Sequence, residues 1–201
     1  PTVENNYATM VNAAKIMREG FDVIKPLRAR IAPINPEFDP QRSGLIGLEN
    51  SLITTNQGGR QAKQTTVNPN WAAVAVKLLA DAGVQEGDLV AVTVSGSFPA
   101  LNLAVYSAIE ALGADAVIIA SAASSQWGAN VPELAWLYME RELRRAGVIS
   151  LKSVYASIGG IEDRGVGMPR EGIQSLRESI QRAGIPLLEP ANYQEAVANR
   201  I

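Results

Sequence analysis

Four times along this chain a run with helical periodicity halts at a glycine flanked by apolar residues: Ala82-Gly83-Val84, Leu112-Gly113-Ala114, Ala146-Gly147-Val148 and Ala183-Gly184-Ile185. Glycine just past a helix end supplies the left-handed backbone that other residues resist, so the four stops predict four helices. Short apolar runs at 89–94, 116–120, 153–157 and 186–188 follow them and read as strands. Strands alternating with helices predict an α/β fold, a three-layer α/β/α Rossmann-like parallel sheet with right-handed crossovers and helices on both faces.

Ahead of this repeat, Tyr7, Val11, Ala14, Met17, Phe21, Ile24, Leu27 and Ile31 recur at spacings of three and four. That spacing predicts an amphipathic helix over 4–31, kinked or interrupted near Gly20 and Pro26. Such a helix either packs on the main core or serves self-association, a partner or a membrane-proximal stalk. The Pro-rich stretch 32–43 reads as a linker, dividing residues 1–43 from an α/β domain over 44–201. Thr-rich flanks at 51–55 and 61–66 around Asn56-Gln57-Gly58-Gly59 suggest a small β-hairpin. Asn130 with Glu133, and Asn192 with Glu195, resemble capping boxes, the second opening a helix over 193–199.

Composition removes whole classes of chemistry. The 201 residues contain no His and no Cys, which excludes Ser-His-Asp relays, thiolate nucleophiles and metals held by imidazole or sulfur. Hydroxyls, carboxylates, Lys, Arg and backbone amides remain. A net charge of −2 supplies no basic stripe, so nucleic acid is not an expected partner. No Walker A or dinucleotide fingerprint occurs, and no cofactor is expected. No stretch approaches the roughly 20 apolar residues of a membrane span. The first residue is Pro1 rather than Met, which suggests processing upstream.

In a parallel sheet, the loops leaving the strands meet at one edge, where open α/β proteins bind ligands. The first of these loops, Ser95-Gly96-Ser97, joins a strand to a helix that carries Pro99 in its first turn. Ser97 is either a helix N-cap or, with Ser95, a nucleophile candidate. Without His the base falls to a lysine: Lys63, Lys77 or Lys152. Asn102, a polar residue in an apolar helix, either ties down a loop or orients a ligand carbonyl. The second loop supplies Ser121, Ser124, Ser125, Gln126, Trp127 and Asn130, with Trp127 as a ligand wall. The third supplies Glu162, Asp163 and Arg164, as an incomplete Mg²⁺ shell or an internal Asp163–Arg164 pair. Ser97, Asn102, Ser125, Trp127, Asn130 and Asp163 are the expected ligand-binding set, and Ser95, Ser97 and Lys63 the expected catalytic set. A small anion at the helix N-terminus beside Phe98 fits this edge.

Four stretches together resemble the poly-γ-glutamate system protein family: KQTTVNPNWAAVAVKLL (63–79), VSGSFPALNLAV (94–105), SSQWGANVPELAWLYME (124–140) and IGGIEDRGVG (158–167). The resemblance spans roughly residues 40–185. It implies an accessory protein of bacterial poly-γ-glutamate synthesis and export at the extracytoplasmic face of the membrane, of a family often held there by an N-terminal hydrophobic segment, so that either an anchor upstream of Pro1 or a free form is expected. The implied partners are the polymer or its synthesis and export machinery. It transfers no catalytic residues. Three functions follow as expectations: a binding protein for polymer or partner, a Ser/Lys hydrolase or transferase acting on the polymer or a related amide, and a structural protein assembling through residues 4–31.

Overall fold

The computed structural model describes residues 6–201 and shows an α/β fold. Its elements, in chain order, are α1 (Tyr7–Ile31), α2 (Arg60–Thr66), α3 (Asn70–Asp81), β1 (Leu89–Ser95), α4 (Pro99–Leu112), β2 (Asp115–Ser121), α5 (Trp136–Arg145), β3 (Ser153–Ser157), α6 (Arg170–Ala183), β4 (Leu187–Leu188) and α7 (Tyr193–Ala198). A 3₁₀ turn at Pro132–Leu134 precedes α5. The four expected glycine stops all have positive φ: +91° at Gly83, +68° at Gly113, +73° at Gly147 and +67° at Gly184. Each stop therefore turns the chain where only glycine does so without strain.

All four strands are parallel, in the order β1-β2-β3-β4. The register aligns Ser95 with Ser121 and Ser121 with Ser157, so three neighbouring strands end in a row of serines. Strand order that always advances in one direction, with right-handed crossovers, places α4, α5 and α6 on the same face. Burial agrees: Val94, Ile118, Ala120 and Ala156 are buried, whereas Leu89, Val117 and Tyr155 on alternate positions are 68%, 43% and 45% exposed. Sheet, α4 to α6 and α1 stack as layers, in keeping with the expected three-layer α/β fold.

Helix α4 is buried around most of its circumference, through residues as far apart as Ala100, Leu103, Tyr106 and Ile109. Helices α1 and α3 pack against it from outside the sheet. Helix α1 runs without interruption through Gly20 and Pro26, where a kink or an interruption was expected; residues 4 and 5 of the expected span lie outside the described residues. Pro26 sits on the exposed side, where its missing backbone bond costs least, and Gly20 allows close approach. A Cβ at position 20 would stand 2.6 Å from Leu103 Cδ2 and 3.2 Å from Leu143 Cδ2. Among the described residues no helix is long and apolar enough to cross a membrane.

The small β-hairpin is absent: its second arm is α2. Gln61, Ala62, Lys63 and Gln64 are good helix formers, and the Thr65 and Thr66 hydroxyls donate back to the Gln61 and Lys63 carbonyls at 2.9 and 2.7 Å. Thr54 instead forms a single parallel bridge with Ser124. Asn192 does cap α7, accepting from Glu195 N at 3.0 Å, while Asn130 caps nothing and is used elsewhere.

Gly172, in the first turn of α6, lies against the chain at Leu52, where an added Cβ would collide with the Leu52 carbonyl oxygen. Gly172→Ala is expected to cost about 2–3 kcal/mol and to lower Tm by roughly 5–10 °C. Differential scanning calorimetry reads this directly, with exposed Gly59→Ala as the control that leaves Tm within about 2 °C.

Candidate functional site

Helix α2 exposes Gln61, Ala62 and Thr65 and turns Lys63 inward, toward the loops that follow β1 and β2. The Lys63 ammonium, in a residue only 3% exposed, donates to Ser125 Oγ at 3.0 Å and rests 3.4 Å from the Phe98 ring centroid. Among the described residues no carboxylate forms an ion pair with it. Burial without a counter-ion disfavours the charged form and lowers the Lys63 pKa from 10.5 to about 8. A lysine near neutrality beside a serine hydroxyl is the arrangement that Ser/Lys catalysis requires.

Backbone and hydroxyl bonds hold that serine. Ser125 N donates to Ser97 Oγ at 3.1 Å, and Ser97 N donates to Ser95 Oγ at 3.3 Å. Ser124 Oγ donates to Gly96 O at 2.9 Å, locking the second loop onto the first. Asn102 Nδ2 donates to Ser95 O at 2.7 Å. The amide therefore ties the strand end to α4, the first of its two expected roles. Ser97 is not a helix cap: α4 begins at Pro99 and no side chain caps it. Lys63 thus reaches Ser125, a residue expected to bind ligand, rather than Ser95 or Ser97.

Asn130 is fully buried and acts as a clasp between the second loop and the segment before α2. Its Oδ1 accepts from Leu48 N at 2.7 Å, and its Nδ2 donates to Leu48 O at 2.8 Å and Thr54 Oγ1 at 2.9 Å. These bonds satisfy the amide, so Asn130 holds the loop and its polar atoms face the protein rather than a ligand. Trp127, at φ 63°, is a wall of a cavity of about 300 Å³ that also touches Phe38, Ile46 and Leu48. Its ring lies 5.0 Å from Phe38, and Arg60 stacks over both rings at 5.4 and 5.0 Å.

Asp163 lies apart from the lysine. Its carboxylate accepts from Ser157 Oγ at 2.6 Å and Ser121 Oγ at 3.2 Å and pairs with Arg200 at 2.6 Å. The expected Asp163–Arg164 pair is replaced, because Arg164 bonds Glu162 at 3.1 Å. Arg60, Phe98, Ser157 and Arg200 were outside the expected set. The row of strand-ending serines was the available signal for Ser157; nothing local in the sequence marks Arg200. Lys77 lies on α3, where it pairs with Asp81 at 3.4 Å, and Lys152 lies just before β3.

Comparison with known proteins adds no relative: no family model, no curated protein and no solved structure matches this chain. The site is read from its geometry alone.

Two expected outcomes follow. Asn130→Asp keeps the acceptor for Leu48 N but turns a carboxylate toward Leu48 O, and should cost about 2–4 kcal/mol in urea unfolding. The second concerns Lys63, whose proton is held up to about pH 10.5 in the unfolded chain and to about 8 in the folded one. Between those values the unfolded state binds more protons, so stability rises with pH. Wild type should gain up to about 3 kcal/mol relative to Lys63→Met between pH 7 and pH 10.5, measured by paired urea melts.

Proposed function

We propose that the chain is a Ser/Lys-dependent hydrolase or transferase acting on poly-γ-glutamate or a related amide, with Ser125 as nucleophile and Lys63 as base. The observation that carries this reading is the 3.0 Å approach of Lys63 Nζ to Ser125 Oγ, with the lysine pKa lowered to about 8. Neutral Lys63 takes the proton from Ser125 Oγ as the oxygen attacks the amide carbonyl carbon. The proton then passes to the leaving nitrogen as the C–N bond breaks, leaving an ester on Ser125. Water or an acceptor amine, deprotonated by the same lysine, cleaves that ester and returns the proton to Ser125.

Substrate class and setting rest on the resemblance to poly-γ-glutamate system proteins, which implies a setting at the bacterial cell envelope with the polymer and its export machinery. Arg60, one helical turn before Lys63, supplies a cation on the approach for a polymer that carries one carboxylate per residue. Access requires movement. Ser125 is 7% exposed, and the 56–59 segment covers it closely enough that a Cβ at Gly58 would stand 3.1 Å from its hydroxyl.

That closed state favours a second reading, in which the same edge binds polymer or a synthesis partner without turnover and Lys63 is a buried tie. The two separate in one experiment. A fluorophosphonate should label Ser125, with a rate that rises through about pH 8 and falls at least tenfold in Lys63→Met. Absence of labelling at Ser125 between pH 7 and 10, in protein folded by circular dichroism, rejects the enzyme and leaves the binding reading.

A further inference from the structure

A second polar site lies at the same sheet edge, built on the strand-ending serines rather than on Lys63. Ser121 and Ser157 are register neighbours, and both hydroxyls donate to Asp163 Oδ1. Asp163 and Glu162 have φ values of 63° and 55°, a left-handed pair that non-glycine residues seldom adopt in succession. The backbone bonds Asp163 N to Gly160 O and Arg164 N to Ile161 O, at 3.0 and 3.2 Å, hold that conformation. Strain kept at a sheet's ligand-binding edge is a mark of a functional position.

The site already contains a ligand-like group from the chain itself. Arg200 Nη1 is 2.6 Å from Asp163 Oδ2, and Nη2 donates to Ser157 Oγ at 2.9 Å and Ser121 Oγ at 3.4 Å. Its carrier is weakly held: α7 has six residues, and Ala196 is its one buried residue, while Tyr193 and Val197 are exposed. Asp163 also borders two cavities of about 360 Å³ each, one beneath α7 and one between α6 and the segment after β4. Space for a larger molecule therefore surrounds a carboxylate that faces a cation.

We propose that Ser121, Ser157 and Asp163 form a binding site for the guanidinium or primary ammonium group of a ligand, and that Arg200 occupies it as a displaceable internal stand-in. The carboxylate with two hydroxyl oxygens beside it matches the fork of a guanidinium, while an anionic ligand would meet the Asp163 charge. Ligand entry removes Arg200 and with it the main polar hold on α7. This site does not depend on Lys63 or Ser125, so it stands or falls separately from the proposed enzyme.

Agmatine, which carries a guanidinium at one end and an ammonium at the other, is the probe. Titrated into the full chain by calorimetry, it should bind Arg200→Ala at least tenfold more tightly than wild type, because the internal competitor is gone. Adding Asp163→Asn to Arg200→Ala should abolish that binding. In wild type, saturating agmatine should speed amide exchange at Glu195, whose N–H is bonded to Asn192. Equal affinity in wild type and Arg200→Ala, no binding to a folded Arg200→Ala, or binding that survives Asp163→Asn would overturn the proposal.

Discussion

Helix α4 is the constraint from which the rest of the structure follows. It is covered by the sheet on one side and by α1 and α3 on the other, so its sequence is apolar on nearly every face. Two of its buried polar side chains, Asn102 and Tyr106, find partners inside the protein and fix their neighbours in doing so. Tyr106 donates to Glu140 at 2.9 Å, and the same carboxylate accepts from Ser153 N and Oγ, joining α4, α5 and β3. Burial holds the Glu140 pKa above its usual value and raises that of Tyr106 well above its own. Asn102 makes the corresponding tie at the other end of the helix, holding the β1 strand end where the Ser97 and Ser125 loops meet.

The α/β alternation was legible because it is written locally. A glycine stop, a run of Val or Ile and a proline in a first helical turn each act within a few residues, and the strand boundaries moved by about one position. The hairpin failed for an equally local reason. Threonine reads as strand when its side chain packs on a sheet, but in α2 the hydroxyls bond to the preceding turn and leave the helix intact. The order of the strands was not readable, since it is set by contacts between elements rather than within them. A sequence that alternates strand and helix is compatible with either one-sided or two-sided winding.

The site was legible as a set of loops and not as a set of contacts. Ser97, Ser125, Trp127 and Asn130 fall on the expected strand-edge loops, but choosing the serine for Lys63 required 62 residues of separation to be closed in space. Asn130 shows the same limit in another form. Its spacing to Glu133 matches a cap, yet the turn that follows is too short to be an α-helix, and full burial gives its amide to Leu48 and Thr54. Asp163 was placed in the right loop and given the wrong cation. The partner arrives from α7, far along the chain, and no periodicity reports such a contact.

The strict order β1-β2-β3-β4 also bears on how the molecule assembles. Each strand pairs with the one that precedes it in the chain, so the sheet grows by short loop closures as successive strand-helix units are completed. The contacts that finish the strand edge have a different character: α1 must return over α4 and α5, and Lys63 must find Ser125 across α3, β1, α4 and β2. The sheet is thus built from chain neighbours, whereas the Lys63–Ser125 contact closes distant segments.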